Sequence, residues 1–367
     1  MIERFRLHLL EIPLVRPFRT SFGSQDVRDV LLVEAVDDSG VSGWGECVTM
    51  AWPGYSSEYT SAAVDVLRDH LIPALTTSFD ADPIAICDRL EVLRGHQMAK
   101  AALSTALLDV WLRLRGESLA HYLGASRTEV ECGVSVGIPA DMEALLDEVA
   151  QYVDAGYRRI KLKIQPGWDL EPVAAVRERW PRIPLQVDAN QAYTREHARH
   201  LSRLDEYGLL LIEQPLPEDD LWGHRLIADA MSTPVCLDES ILSVASAESA
   251  IEFGCTEIVN IKPGRVGGYV TAREIHDLCR DRMIPVWCGG MLETGIGRAA
   301  NLALAALPSF TLPGDTSASD RYFRVDITAP FVLEHGCLTV PTGPGIGVDP
   351  IPDELARNRQ AAWEISV

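Results

Sequence analysis

Five residues recur at one phase of a long repeat: Lys163, Asp188, Glu213, Asp238 and Lys262. The intervals between them are 25, 25, 25 and 24 positions, and a sixth polar residue, Cys288, follows 26 positions later. Each closes a short apolar run: RIKLKI, PLQVDAN, LLLIEQP, PVCLDES, EIVNIKP and IPVWCGG. Three carboxylates gathered in one cavity cannot all stay ionised without a cation. Oxygen-only donors with positions left open for water and substrate suit Mg²⁺, or Mn²⁺ or another divalent cation, and argue against zinc. Lysines flank the acidic set. Lys161 and Lys163 are two apart on one strand, so both point to the same face, while Ile160, Leu162 and Ile164 point to the other. The chemistry that needs a cation between lysines is removal of a proton next to a carboxylate. The enediolate that results carries two negative charges on one small group, and a divalent cation stabilises it more than it stabilises the ground state. A lysine base must be neutral part of the time, so its ordinary pKa of ~10.4 is expected to be pushed down by a neighbouring lysine and by the metal.

Each residue also has a plain structural role open to it. A Lys-x-Lys pair on a strand commonly marks a solvated edge, and an acidic residue at a strand end, Asp238 before Glu239 and Ser240 included, commonly caps a helix. Capping does not explain five such residues at the same phase of one repeat.

The elements that position them follow from the repeat. With ECGVSVG before and SFTLPGD after, eight runs alternate with helical stretches, which reads as an α/β protein with a modified (β/α)8 TIM barrel. A doubly wound open sheet is the competing architecture, and eight equal units without a Gly-rich first turn disfavour it. In a barrel the site lies at the C-terminal strand ends, and four strands of eight place Lys262 across from Lys163. Residues 1–50 carry alternating runs and the turn signal DDSG, an antiparallel meander; residues 57–116 turn to helical periodicity and close on Gly116, a C-cap. The expected organisation is an α+β domain over residues 1–125, the barrel over 126–320, and a segment, 321–367, that packs back on the first domain.

Composition narrows the function. The chain has 367 residues, with 53 Asp and Glu against 33 Lys and Arg, a formal net charge of -20. Such a surface opposes nucleic-acid binding and polybasic membrane docking. No window approaches the ~18 apolar residues of a membrane span, and the N-terminus is too interrupted by charge for a signal peptide. Eight scattered cysteines without a C-x-x-C suggest reduced, mostly buried thiols and a cytoplasmic protein. The nine histidines show no metal spacing and are expected mostly at the surface. KPGRVGG can cradle an anion through its amides or simply turn tightly, and Gly295-Ile296-Gly297 with Ala300 reads as a helix start.

The chain resembles the enolase superfamily, in the muconate-cycloisomerase-like group, and within it the branch of o-succinylbenzoate synthases and N-succinylamino acid (N-acylamino acid) racemases. IPL..PF.TSFG, GWGE, MAKAAL, SVGI, KLKI, VDAN, IEQP, LDES, NIKPGRVGG, GGMLETGIGRAA and GDTSASDRYF carry the resemblance nearly end to end. It implies an α+β capping domain, Mg²⁺ held by Asp188, Glu213 and Asp238 with Glu239 behind them, and Lys163 and Lys262 as acid/base groups. It implies substrate contacts from Lys161, Ser135, Asn190, Met291, Leu292 and Asp315, and capping loops around Phe18, Phe22, Met50 and Tyr55. In racemisation the two lysines serve opposite faces; in the dehydration that leads to menaquinone, Lys163 removes the proton and Lys262 stabilises the intermediate as a cation. Arg265, otherwise a surface loop residue, inclines the reading toward the racemase. The expected partner is a small carboxylate substrate, and a homo-oligomer is expected. The alternatives are another cycloisomerase, an epimerase of N-acyl amino acids or dipeptides, and a barrel that binds without catalysis. GMLETG lacks the D-x-D of dipeptide epimerases.

Overall fold

The computed structural model describes residues 1–75 and 82–367. The N-terminal sheet is antiparallel. Strands β1 (Ile2–Thr20), β2 (Gly23–Asp37) and β3 (Ser42–Cys47) form the meander, joined at DDSG by a turn in which Asp37 accepts from the amides of Ser39 and Val41 and Gly40 takes a φ of +84°. Alternation along β2 sends Val30 and Leu32 into one core, shared with the barrel, and Leu31, Val33 and Ala35 into a second core under the helices. Those helices span Thr60–Val66, Ile72–Leu75, Pro83–Leu90 and Gln97–Arg113. The last is rich in Ala and Leu and buried on almost every face. It lies so close to β3 that a Cβ on Gly43 would stand 2.4 Å from the Ala106 carbonyl oxygen, and one on Gly45 2.0 Å from that of Ala102. Two residues of GWGE are therefore glycine because a helix backbone occupies the space of their side chains.

The short β4 (Glu129–Glu131) leads into a parallel sheet of β5 (Gly133–Val136), β6 (Arg159–Lys163), β7 (Leu185–Asp188), β8 (Ile212–Glu213), β9 (Val235–Leu237), β10 (Ile258–Ile261) and β11 (Val286–Cys288), in sequence order. The register places Lys163 opposite Asp188 and Asp188 opposite Glu213, so the repeat in sequence becomes a level in space. The eighth run differs from the expected full strand. It closes the barrel through two parallel bridges, Phe310 to Val286 and Gly314 to Cys132, with the Gly133 amide donating to the Gly314 carbonyl at 2.7 Å and the Asp315 amide to that of Cys288 at 2.9 Å. Pro308 and Pro313 have no N–H to give, which leaves too few rungs for a ladder. The fold is thus a modified (β/α) barrel under an N-terminal α+β domain. After it, β12 (Cys337–Thr339) pairs with β4, and β13 (Arg359–Ser366) pairs antiparallel with β1 as the fourth strand of the first sheet. Among the described residues no helix is long and apolar enough to cross a membrane.

Candidate active site

Alternation along β6 turns Arg159, Lys161 and Lys163 into the barrel, and all three are buried. The Lys163 Nζ donates to Asp188 Oδ2 and to Asn190 Oδ1, both at 2.6 Å. The Lys161 Nζ stands among three carboxylates, 2.6 Å from Asp315, 3.0 Å from Glu213 and 3.2 Å from Asp188, and 4.8 Å from the centre of the Trp287 ring. Across the mouth, Lys262 donates to Asp238 at 2.7 Å and to the Tyr55 hydroxyl at 3.0 Å. Asp238 caps no helix: its other oxygen pairs with Arg265, and Tyr55 donates to it at 3.2 Å.

The charges act on one another as their positions require. Burial alone would raise the Asp188 pKa, yet the ammonium groups of Lys163 and Lys161 hold it well below the carboxylate range. Asp238 is likewise lowered against burial by Arg265 and Lys262. Glu213 goes the other way, raised by burial and by repulsion from Asp188 and Asp238. Glu239 is pushed up to about 8 by burial and by Asp238 and Asp188. Asp238 beside it raises Lys262 against its burial, and Asp315, Glu213 and Asp188 raise Lys161 against its own.

A small cavity above these groups is lined by Phe18, Phe22, Met50, Tyr55, Ser135, Lys161, Lys163, Asn190, Lys262, Met291, Leu292 and Asp315. Every residue singled out in the sequence for substrate contact or capping therefore lines this one cavity. The Ser135 hydroxyl is buried there without a hydrogen-bond partner. Asp188, Glu213 and Asp238 lie beneath, each 1 % exposed or less. Their oxygens turn to the lysines and Arg265, and among the described residues no three acidic, His or Cys side chains converge as a bound metal requires. The donor set nonetheless fits a hard cation: three buried oxygen ligands on successive strands that repel one another, with the Asn190 amide on one oxygen of Glu239 and the other, Oε2, buried without a partner.

Thr20 lines the cavity too, within the capping loop expected from Phe18 to Phe22, whereas Gly290 and Tyr322 were not anticipated. Arg159, which pairs with Asp315 at 2.8 Å, and Asn260, which donates to Glu213 at 2.7 Å, were missed too. Each sits two residues before a chosen lysine, so the period of the strand could have found both. Arg265 is buried, not a surface loop residue. Its segment is no anion cradle either, because the Arg265, Val266 and Gly268 amides are spent on the carbonyls of Lys262 and Pro263. Six of the nine histidines are at least partly exposed, as expected of most of them, and His8, His224 and His276 are buried.

A capped barrel with lysines facing each other over strand-end carboxylates defines a class, and comparison with known proteins names it. Residues 5–124 match the mandelate racemase / muconate lactonizing enzyme N-terminal domain, and residues 144–354 the enolase C-terminal domain-like family. The chain is 59 % identical over 350 residues to an N-succinylamino acid racemase of Amycolatopsis sp., covering 95 % of each. It is 46 % identical over 362 residues to the o-succinylbenzoate synthase of Geobacillus kaustophilus, covering 98 % of this chain and 96 % of that one. Among solved structures, an enolase superfamily member from Listeria innocua superposes with a TM-score of 0.96 at 40 % identity, over 100 % of this chain and 99 % of that one. A dipeptide epimerase from Cytophaga hutchinsonii, complexed with Mg and the dipeptide D-Ala-L-Val, gives 0.90 at 25 % identity over the whole of both chains. The chain belongs to the enolase superfamily, and within it to the group of enzymes made up of o-succinylbenzoate synthases and N-succinylamino acid racemases.

Proposed function

We propose that the protein removes a proton α to the carboxylate of a small acid, and that it does so as an N-succinylamino acid racemase, an o-succinylbenzoate synthase, or both. The observation that carries the reading is the pair Lys163 and Lys262, on strands four apart, both lining one cavity and each hydrogen-bonded to a different carboxylate. Asp188, Glu213 and Asp238 would hold Mg²⁺, which when bound would neutralise the second negative charge that develops on the substrate carboxylate. The ammonium group of Lys161 and the amide of Asn190 bind and orient that carboxylate. Lys163 takes the α-proton on one face to leave an enediolate, and Lys262 holds a proton ready on the other. In the racemase reaction Lys262 delivers it; in the dehydration Lys262 stays charged and stabilises the intermediate electrostatically, while Lys163 returns the proton it took to the departing hydroxyl, which leaves as water when the C–O bond breaks. Phe18, Phe22 and Met50 exclude water from above, which strengthens each of these interactions. The eight cysteines are all free, six of them buried, which supports a reducing, cytoplasmic setting.

The test is incubation of the Mg²⁺-loaded protein in deuterated solvent with a panel of N-succinyl amino acids, and separately with the synthase substrate. Exchange of the α-proton with racemisation, or loss of water, is expected. No exchange with any N-succinyl acid and no dehydration would sink both assignments and favour an epimerase of another acyl class.

A further inference from the structure

Glu46 ends the GWGE segment on β3, in the N-terminal domain, yet its carboxylate is bound wholly by the barrel. The Thr294 amide donates to both oxygens at 3.1 Å, the Thr294 hydroxyl to Oε2 at 2.7 Å, and the Gly297 amide to Oε2 at 3.0 Å. These donors open the helix Gly295–Ala305, whose first amides have no partner inside the helix. The N-cap is Thr294, whose hydroxyl accepts from the Ile296 amide, and Asp326 takes the Gly295 amide; the Glu46 carboxyl, from the other domain, completes the cap at Thr294 and Gly297. The fit is close on both sides: a Cβ on Gly297 would lie 3.0 Å from Glu46 Oε2 and 2.8 Å from Glu293 Cγ.

The segment that leads into this cap is a wall of the catalytic cavity. Gly290, Met291 and Leu292 line it, and Leu292 holds a left-handed φ of +58°, a conformation a leucine keeps only when its surroundings impose it. The facing wall, Phe18, Thr20, Phe22 and Met50, belongs to the domain that supplies Glu46. One carboxylate therefore ties together the two bodies whose spacing sets the width of the cavity.

We infer that Glu46 is a positioning residue: by completing the cap of the helix Gly295–Ala305 it holds Met291 and Leu292 at a set distance from the capping loops and so governs which substrate side chains the cavity admits. The selectivity half of this inference rests on the function proposed above; the positioning half does not.

Two measurements on the full-length protein test it, with Glu46→Gln, Thr294→Val and Thr294→Ser. The first is amide hydrogen exchange, which needs no turnover. Glu46→Gln and Thr294→Val should speed exchange in residues 289–297 by about tenfold or more while β1 and β2 stay protected, and Thr294→Ser, which keeps the hydroxyl, should match the wild type. Unchanged protection of 289–297 in both variants overturns the inference, as does equal loosening of the whole chain. The second is kinetics with N-succinylalanine and N-succinylphenylalanine. The KM ratio of the two should shift at least about fivefold in both variants with kcat nearly constant, because the change is in binding and not in the proton-transfer step. A ratio that stays at the wild-type value while both rates fall in step with the folded fraction reduces Glu46 to a stabilising contact and overturns the selectivity half. Wild-type protein inactive on both acids would count against the racemase assignment and with it the selectivity half, while exchange still decides the positioning.

Discussion

The two sides of the barrel mouth present the same pair, a lysine on a carboxylate, in different company. Lys163 meets Asp188 and Asn190, both from β7 and the turn after it, the next strand of the barrel. Lys262 meets Asp238, but Asp238 also binds Arg265, and all three touch the hydroxyl of Tyr55 from the N-terminal domain. One lysine is therefore set by neighbours in the repeat, and the other depends on a residue 207 positions away. The difference teaches that the proposed reaction would meet unequal surroundings on the two faces of its substrate.

The largest expected effect removes what both sides share. Exhaustive chelation should take α-proton exchange to background on both faces and Mg²⁺ should restore it, with a rise in Tm as the metal is titrated back. Full exchange after chelation would break the assignment of Asp188, Glu213 and Asp238 as ligands. Next come the lysines taken singly. Lys163→Ala and Lys262→Ala, folded by circular dichroism, should each lower racemisation by about 10²- to 10⁴-fold, the range of a general acid or base. Exchange started from D and from L substrate should separate them, each variant silencing one enantiomer more than the other. Equal loss from both enantiomers in both variants would erase the asymmetry.

Tyr55→Phe sharpens the comparison. Loss of one hydroxyl shared by Lys262, Arg265 and Asp238 is worth about 1 kcal/mol, so roughly a fivefold slowing of the Lys262 face with the Lys163 face unchanged. Parallel slowing on both faces would show that Tyr55 acts on the metal site as a whole. The smallest effect leaves turnover at neutral pH alone. His224 lies behind the Asp238 side, buried, with its Nε2 accepting from the Leu216 amide at 3.3 Å and its Nδ1 against the Asp220 carbonyl at 2.9 Å. Burial lowers its pKa from 6.5 to about 4, so the folded protein resists a proton that the unfolded chain accepts. Stability should fall as pH drops from 6.5 toward 4, by at most roughly 3 kcal/mol from this group, and His224→Gln should flatten that slope in urea melts. An unchanged slope would show that the imidazole gains its proton without loss.

Legibility in the sequence followed the range of the interaction. The strand-end set was readable because a strand has a period of two and a β/α unit a nearly constant length, so Lys163, Asp188 and Glu213 announce a shared level before any coordinate is known. Arg159 and Asn260 were readable by the same rule and were overlooked. The contacts of Arg265, Tyr55 and Glu46 were not. Their partners lie 27, 183 and 248 positions away, and nothing in local pattern encodes such a contact. Lys161 and Lys262 show the same limit in another form: which carboxylates come within hydrogen-bond reach and raise them against their burial is not written in the strand period.

By itself the sequence determined the kind of barrel, the residue types at its mouth and the chemistry they suit, because periodicity and composition are local properties that survive in one dimension. Tertiary structure decided who pairs with whom. It spent the glycines of GWGE on a helix passing at van der Waals distance, sent Glu46 across the domain boundary to complete the cap of a barrel helix, and drew Tyr55 down onto Lys262. Those choices follow from close packing and from the need of every buried charge for a partner, and both are settled only when the whole chain has closed on itself.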